Sequence, residues 1–192
     1  MKKLILFSVL IFLTLFSYSQ DRKPMYSGGM LFLQPGFTIA QNPYQKIETL
    51  GFGIGGVLRF YIKDHICLGI IGSNQKANYK SLGSDNSYIT LGYGGPMIGY
   101  TFSKNKFRFC AAISIGKGKI KNLHIQSQIG VLLSDADYYS YKAWVGYPIF
   151  SFDYMITEKI ALTSQLICLG AFYNKNDLYF CPVLQLGVLF NR

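Results

Sequence analysis

The chain has 192 residues and a formal net charge of +10, with 19 lysines and arginines against 9 aspartates and glutamates. Charged residues make up only 15% of the chain although half of it is hydrophobic, whereas an ordinary soluble domain carries about 25% charged residues. This composition argues against a surface that faces water on all sides. An excess of basic residues can indicate binding to nucleic acid. An exported protein does not encounter nucleic acid in its ordinary work, so an anionic membrane surface is the better candidate partner.

The first nineteen residues have the three-part plan of a secretory signal peptide. Lys2 and Lys3 form a basic start, residues 4–16 are apolar, and residues 17–19 have the small-x-small pattern of a cleavage site. The apolar stretch is shorter than the roughly twenty residues that a spanning helix needs, which favours a cleaved signal over an uncleaved anchor. We therefore expect residues 1–19 to be removed and residues 20–192 to form one domain.

The rest of the chain is hydrophobic in short alternating pieces. After residue 19 no run approaches the eighteen apolar residues of a transmembrane helix, and only helices and closed barrels satisfy the backbone inside lipid. Residues 107–116 alternate strictly, with Phe, Ala and Ile on one face and Arg, Cys, Ala, Ser and Gly on the other. The second face suits a crowded interior better than water, so a membrane barrel is favoured over a soluble, lipocalin-like barrel.

In chain order, the alternation predicts eight strands. They are Gly29–Ala40, Glu48–Ile62, Ile66–Asn74, Tyr88–Phe102, Phe107–Gly116, Tyr139–Ile156, Ile160–Phe172 and Phe180–Phe190. Very short polar turns follow the second, fourth and sixth strands, and longer polar loops are predicted at residues 41–47, 75–87, 117–138 and 173–179. Short periplasmic turns and longer outer loops are typical of outer-membrane barrels. The predicted fold is all-β: an eight-stranded, antiparallel, up-and-down transmembrane β-barrel.

Aromatic residues gather near both ends of the predicted strands, as membrane interfaces select. The set near the short turns is Phe60, Tyr61, Tyr100, Phe102, Phe107, Phe152 and Tyr154. The set near the long loops is Tyr88, Tyr138, Tyr139, Tyr141, Trp144, Phe172, Tyr173, Tyr179 and Phe180.

The signal peptide, the three tight hairpins and the final alternating strand Val183–Phe190, which ends in an aromatic residue, resemble the OmpA/OmpX-like, porin-family outer-membrane barrels. The resemblance covers essentially the whole mature chain. It implies a place in the cell outer membrane, with lipopolysaccharide as the surrounding lipid. It also implies contact with the barrel-assembly machinery during insertion.

Three charged residues fall on the predicted interior face near the short turns: Arg59, Arg108 and Asp153. A buried ion is costly unless it is paired, so we expect these residues to form an internal charge cluster, with Gln165 and Gln185 as candidate members. Because eight strands enclose space only for side chains, a filled barrel is favoured over a gate or a proton path.

Lys117, Lys119 and Lys121 continue the lipid-facing alternation of the fifth strand beyond its apolar part. That position corresponds to the level of lipid A phosphates, where charges cost little. We expect the three lysines to contact lipid head groups, with Lys76 and Lys80 as candidate helpers. The alternative is a solvated loop without lipid contact.

Few residues suggest further chemistry. His124 and Ser127 lie in the longest predicted loop, with Asp135 or Asp137 as a third group, but their spacing does not match lipid-modifying enzymes. The four cysteines are isolated, so neither a metal site nor a redox motif is indicated. Cys168 and Cys181 flank one loop, yet the alternation places them on opposite faces, which favours free thiols over a bridge.

The sequence thus predicts a non-enzymatic outer-membrane barrel, without cofactor or metal, whose surface loops bind lipid, a ligand or a partner or have a structural role. Three alternatives remain open at this point. They are a narrow channel for small solutes, a lipid A-modifying enzyme, and a secreted lipocalin-like binding barrel.

Overall fold

Eight antiparallel strands close into one barrel in the computed structural model, which describes residues 26–62, 65–129, 132–174 and 177–191. The strands are β1 Tyr26–Gln41, β2 Lys46–Ile62, β3 Ile66–Tyr79, β4 Ser87–Lys104, β5 Phe107–Ile129, β6 Leu132–Met155, β7 Ile160–Asn174 and β8 Asp177–Asn191. Each strand pairs with the next, and β1 pairs with β8 to close the ring. No helix that could cross a membrane occurs within these ranges. The predicted signal peptide lies outside them.

The alternation sorts side chains between the two faces of the barrel wall. On β5, Phe109, Ile113 and Ile115 are about half exposed on the outside, while Cys110 and Ser114 are buried within. The same order holds around the ring, so the outer surface is a continuous band of large apolar side chains. Such a band is unfavourable in water and is what a bilayer requires of a barrel. A soluble lipocalin-like barrel is therefore excluded.

The predicted loop at residues 117–138 is wrong, because this segment continues β5 and β6 as a long hairpin. The pairing runs without a break from Lys117 opposite Trp144 to His124 opposite Asp137, and shifts register only beyond Ile125. The polar composition suggested a loop. Strand pairing uses backbone groups, however, so it does not require apolar side chains. The lysines of this segment are exposed on its outer face, and Asn122 and His124 on its inner face are buried with hydrogen-bond partners. We call residues 117–129 and 132–144 the outer hairpin.

The other strands also extend further at the outer end than the alternation indicates. β3 reaches Tyr79 rather than Asn74, and β1 and β2 are joined by the short segment 42–45. The opposite end keeps tight turns, and Asn105 between β4 and β5 adopts a φ of 54°, a left-handed conformation that asparagine tolerates well.

Most of the predicted interface aromatics do point outward. Near the short turns these are Phe60, Tyr100, Phe102, Phe107, Phe152 and Tyr154, and near the outer end Trp144, Phe172 and Phe180. The prediction is wrong for Tyr61 and Tyr179, which lie on the inner face of the barrel and are buried. Tyr138, Tyr139 and Tyr141 lie on the outer hairpin, beyond the apolar band. Tyr173 has no described side chain.

Candidate functional site

The structure brings the three predicted interior ions together near the short-turn end. Arg59 on β2 reaches Asp153 on β6 with an Nη1–Oδ2 distance of 3.2 Å, and Arg108 on β5 reaches it with an Nε–Oδ2 distance of 2.8 Å. All three side chains are at most 3% exposed. Arg108 and Asp153 are direct cross-strand partners, so inward alternation together with strand register places the pair.

Two further residues complete this ion cluster and were not predicted. Ser151 Oγ accepts a hydrogen bond from Arg59 Nη2 at 3.0 Å and donates to Asp153 Oδ1 at 3.1 Å. The Arg108 guanidinium lies 4.2 Å from the centre of the Tyr61 ring, a cation–π contact that stabilises the second cation. Tyr61 has the same alternation parity as Arg59, a signal that could have placed it inside.

Gln165 and Gln185 lie outside the ion cluster. Gln185 Nε2 donates to Gln34 Oε1 at 2.6 Å, and Gln34 Nε2 donates to Gln75 Oε1 at 2.8 Å. Tyr93 adds a third contact, since its hydroxyl donates to Gln34 Oε1 at 2.8 Å. Gln165 stands in register between Ser151 and Gln185, and neither its Oε1 nor its Nε2 has a hydrogen-bond partner among the described residues. Gln34, Gln75, Gln185 and Tyr93 form a second polar layer inside the barrel, which we call the glutamine layer.

A third polar layer closes the outer end. His124 on β5 is 4% exposed, and its Nδ1 lies 3.2 Å from the Tyr79 hydroxyl and 3.4 Å from Asn42 Nδ2. The Tyr79 hydroxyl donates to Asn122 Oδ1 at 2.7 Å. Tyr44, in the β1–β2 connection, stacks on the His124 ring with centroids 4.3 Å apart and planes 5° apart. We call these five residues the outer cap.

Asp137 on β6 ties the outer hairpin to this cap. Its Oδ2 accepts hydrogen bonds from the Tyr44 hydroxyl and from Gln126 Nε2, each at 2.5 Å. These bonds hold the pKa of Asp137 below its ordinary value of 3.8. Burial lowers the pKa of His124 below its ordinary value of 6.5, and the Asp137 charge opposes that shift. His124 is thus held neutral beside an ionised carboxylate, outside the membrane.

The arrangement does not assemble His124 and Ser127 as a base and a nucleophile. His124 points inward under Tyr44, whereas Ser127 lies beyond a register shift and is exposed. No contact joins the two residues in the part of the chain that the structure describes. Across the described ranges, no three potential metal-ligating side chains come together. Cys168 and Cys181 are free thiols, and Leu169 rather than Cys168 stands opposite Cys181.

On the outer wall, the structure places Lys117, Lys119 and Lys121 along β5, all exposed. Lys142 on β6 stands directly opposite Lys119, a neighbour that sequence reasoning missed because residues 117–138 were assigned to a loop. Lys76 on β3 is the cross-strand partner of Thr90 on β4, and Thr90 is in turn the partner of Lys121 on β5. The three residues therefore lie in one row across the strands. We call Lys76, Lys117, Lys119, Lys121 and Lys142 the lysine face.

Aromatic rings accompany the lysine face, but carboxylates do not. Lys117 Nζ lies 5.4 Å from the centre of the Trp144 ring, and Lys76 Nζ lies 4.6 Å from that of Tyr88. Among the described residues, no lysine of this face forms an ion pair with a carboxylate. Lys80, a predicted helper, is instead paired with Asp85 at 3.3 Å.

Comparison with known proteins identifies the fold. No protein-family model matches the chain, and no curated protein matches it. Among solved structures, Neisserial surface protein A (NspA) aligns with a TM-score of 0.58 and 12% identity over 84% of this chain and 96% of its own. OprG from Pseudomonas aeruginosa aligns with a TM-score of 0.52 and 11% identity over 90% and 98%.

Ail of Yersinia pestis, in a complex with the heparin analogue sucrose octasulfate, aligns with a TM-score of 0.51 and 14% identity over 88% of this chain and all of its own. At these identities the likeness shows a shared fold. Together with the apolar outer band, it establishes the architecture and its environment. The chain is a small, eight-stranded β-barrel of the outer membrane.

Proposed function

We propose that this barrel is a closed, non-enzymatic outer-membrane protein that binds anionic lipid head groups through its lysine face. The observation that carries the proposal is a group of five exposed lysines, without carboxylate partners among the described residues, at the outer edge of the apolar band. Lys119 and Lys142 even face each other across two paired strands. Like charges in that arrangement destabilise a sheet, and a bound anion removes the repulsion.

The height of the lysines in the membrane supports a lipid ligand. Along the outer face of β5, the exposed apolar residues Phe109, Ile113 and Ile115 precede the lysines, and Lys117 follows Ile115 at the next outward position. A lysine at the bilayer midplane costs about 2–4 kcal/mol, and the cost falls to about 0–1 kcal/mol near the interface. Trp144 beside Lys117 is typical of that interface. This height in the barrel supports lipid phosphates as the ligands of the lysine face.

The filled interior supports a closed barrel over the alternative of a solute channel. Gln34, Gln75, Arg59 and Asp153 each have 0% exposed surface, so a water-sized sphere does not reach them. These residues come from two separate polar layers, and the outer cap adds a third. The separation of His124 from Ser127 supports a binding role over the alternative of a lipid A-modifying enzyme.

Replacing Lys117, Lys119 and Lys121 with glutamine tests the proposal. In phospholipid vesicles, the triple variant should bind lipopolysaccharide about tenfold more weakly, since three exposed charge contacts of about 0.5 kcal/mol each are lost. The salt dependence of binding should fall as well, because exposed charges are screened at about 0.1 M salt. The matched control replaces three exposed lysines of the short-turn end, Lys104, Lys106 and Lys159. Equal binding by both triple variants would refute the proposal.

A further inference from the structure

We propose that the lysine face holds a single lipid that carries two phosphate groups, with one of its acyl chains in an adjoining apolar groove. This inference rests on the proposed function and specifies its ligand. The lysines alone show that the face attracts anions. Their positions in the strand register and the groove beside Lys76 show which kind of anion fits.

The register divides the lysine face into two phosphate positions. Lys119 and Lys142 are directly opposed, and such partners have Cβ atoms only about 5 Å apart. Lys76 and Lys121 flank Thr90 in a second row, and they lie about 10 Å apart because neighbouring strands are about 4.8 Å apart. In each position two ammonium groups can converge on one phosphate, and the Thr90 hydroxyl is available in the second.

The two positions are too far apart for one phosphate. The first is centred between β5 and β6, and the second is centred over β4, two residues further along the strands. At about 4.8 Å per strand and about 3.4 Å per residue, the two centres are about 10 Å apart. A disaccharide with a phosphate at each end can span that distance, whereas a glycerophospholipid has its single phosphate at one point.

An apolar groove adjoins the second phosphate position. It has a volume of about 440 Å³ and is lined by Leu50, Gly51, Phe52, Lys76 and Asn78. Leu50 and Phe52 are 77% and 55% exposed, and Phe52 stands directly opposite Lys76. The groove therefore lies on the lipid side of the wall and has a cation at its polar end. An acyl chain attached to the phosphorylated sugar is the occupant that matches both features.

The probes for the test are lipid A with two phosphates, the same lipid A with one phosphate removed, and the deacylated bisphosphorylated disaccharide. Binding to the full chain in phospholipid vesicles is measured by titration calorimetry. We expect lipid A with two phosphates to bind about tenfold more tightly than the monophosphorylated form, because two exposed charge contacts of about threefold to fivefold each are gained. Lys76→Gln removes one of the two contacts and should reduce the difference to about threefold, whereas Lys104→Gln, at the opposite end, should leave it intact.

Phe52→Asn tests the groove, because it replaces one of the apolar side chains that line it. This variant should bind acylated lipid A several-fold more weakly and bind the deacylated disaccharide with unchanged affinity. Heat-modifiable migration on gels, which folded barrels show, establishes that each variant has folded.

The contrary outcomes distinguish failure of this inference from failure of the proposed function. Equal affinity for the two forms of lipid A would overturn this inference while leaving the proposed function intact, provided that the Lys117, Lys119 and Lys121 variant still binds more weakly. Absence of binding to any lipid A would overturn both. If sucrose octasulfate binds with the same lysine dependence and lipid A does not, the face recognises a soluble polyanion and the inference is wrong.

Discussion

Asp153 is the residue with the largest expected effect on stability, because it is the carboxylate between two buried guanidinium groups. The barrel interior replaces water around Arg59 and Arg108 with this carboxylate, with Ser151 and with the Tyr61 ring. Removal of one partner from a buried ion pair leaves an uncompensated charge, and that loss exceeds the net contribution of the intact pair.

We predict that Asp153→Ala lowers the free energy of unfolding by about 3–5 kcal/mol. Urea unfolding from lipid vesicles measures the change. The matched control is Glu48→Ala, which removes the partner of Lys46 in an exposed ion pair. The Lys46 side chain is 65% exposed and the Glu48 side chain 49%, so this substitution should lower the free energy of unfolding by less than about 1 kcal/mol. A loss of under 1 kcal/mol for Asp153→Ala would show that the cluster does not hold its ions as the geometry indicates.

At the scale of elements, the outer hairpin depends on contacts that the rest of the barrel does not have. Its tip extends past the strands on either side, since Tyr88 on β4 pairs with Leu123 and Phe172 on β7 pairs with Trp144. The link to the barrel runs through Tyr44, which stacks on His124 and donates to Asp137. This link contains His124, whose pKa is lowered by burial.

We predict that this link loosens as the pH falls below about 6.5. Because burial lowers the pKa of folded His124, the unfolded chain binds a proton more readily. The stability from neutral His124 is therefore complete above the unfolded pKa of 6.5 and is lost as the pH falls towards the folded pKa. Asp137 has its pKa lowered from 3.8, so its own contribution is lost only at lower pH.

Amide hydrogen exchange of the outer hairpin, compared between about pH 7.5 and pH 5.5, measures this loosening after correction for intrinsic exchange rates. Opening should increase by up to about tenfold per pH unit, the limit for uptake of one proton. His124→Gln should remove the pH dependence in this range, while His65→Gln, in an exposed turn at the opposite end, should retain it. Equal pH dependence in the wild type and in His124→Gln would contradict the assignment.

At the scale of the whole molecule, the barrel is closed by three polar layers rather than by an apolar core alone. The ion cluster, the glutamine layer and the outer cap succeed one another along the interior, and buried aliphatic side chains such as Ile71 and Ile149 lie among them. An eight-stranded ring encloses just enough space for its own side chains. Conduction would require these layers to separate together.

We predict that the purified protein gives no conductance steps in planar lipid bilayers. The expected record is the baseline of the bare membrane at moderate voltages, since Arg59, Asp153, Gln34 and Gln75 of the two inner layers have no exposed surface. A porin added to the same bilayer provides the positive control. Reproducible steps from the wild-type protein would show that the layers open, and the channel alternative would then replace the closed barrel.

The alternation of residues 107–116 was enough to predict a strand, its two faces and the inward position of Arg108, because strand geometry repeats every two residues whatever the partner is. The same rule placed Arg59 and Asp153 inside and Lys117, Lys119 and Lys121 outside. Eight such segments separated by three tight turns and longer connections were enough to predict the number of strands and the closed barrel.

The tertiary structure alone decided which residues meet. Opposition of Lys119 to Lys142, stacking of Tyr44 on His124 and contact of Tyr61 with Arg108 all depend on register between strands, which is a relation between distant segments. The length of the outer hairpin was likewise hidden, because strand pairing needs only backbone groups and the inner face of this segment buries polar residues such as Asn122 and His124. Local periodicity therefore determined the faces of each strand, and register between strands determined the sites.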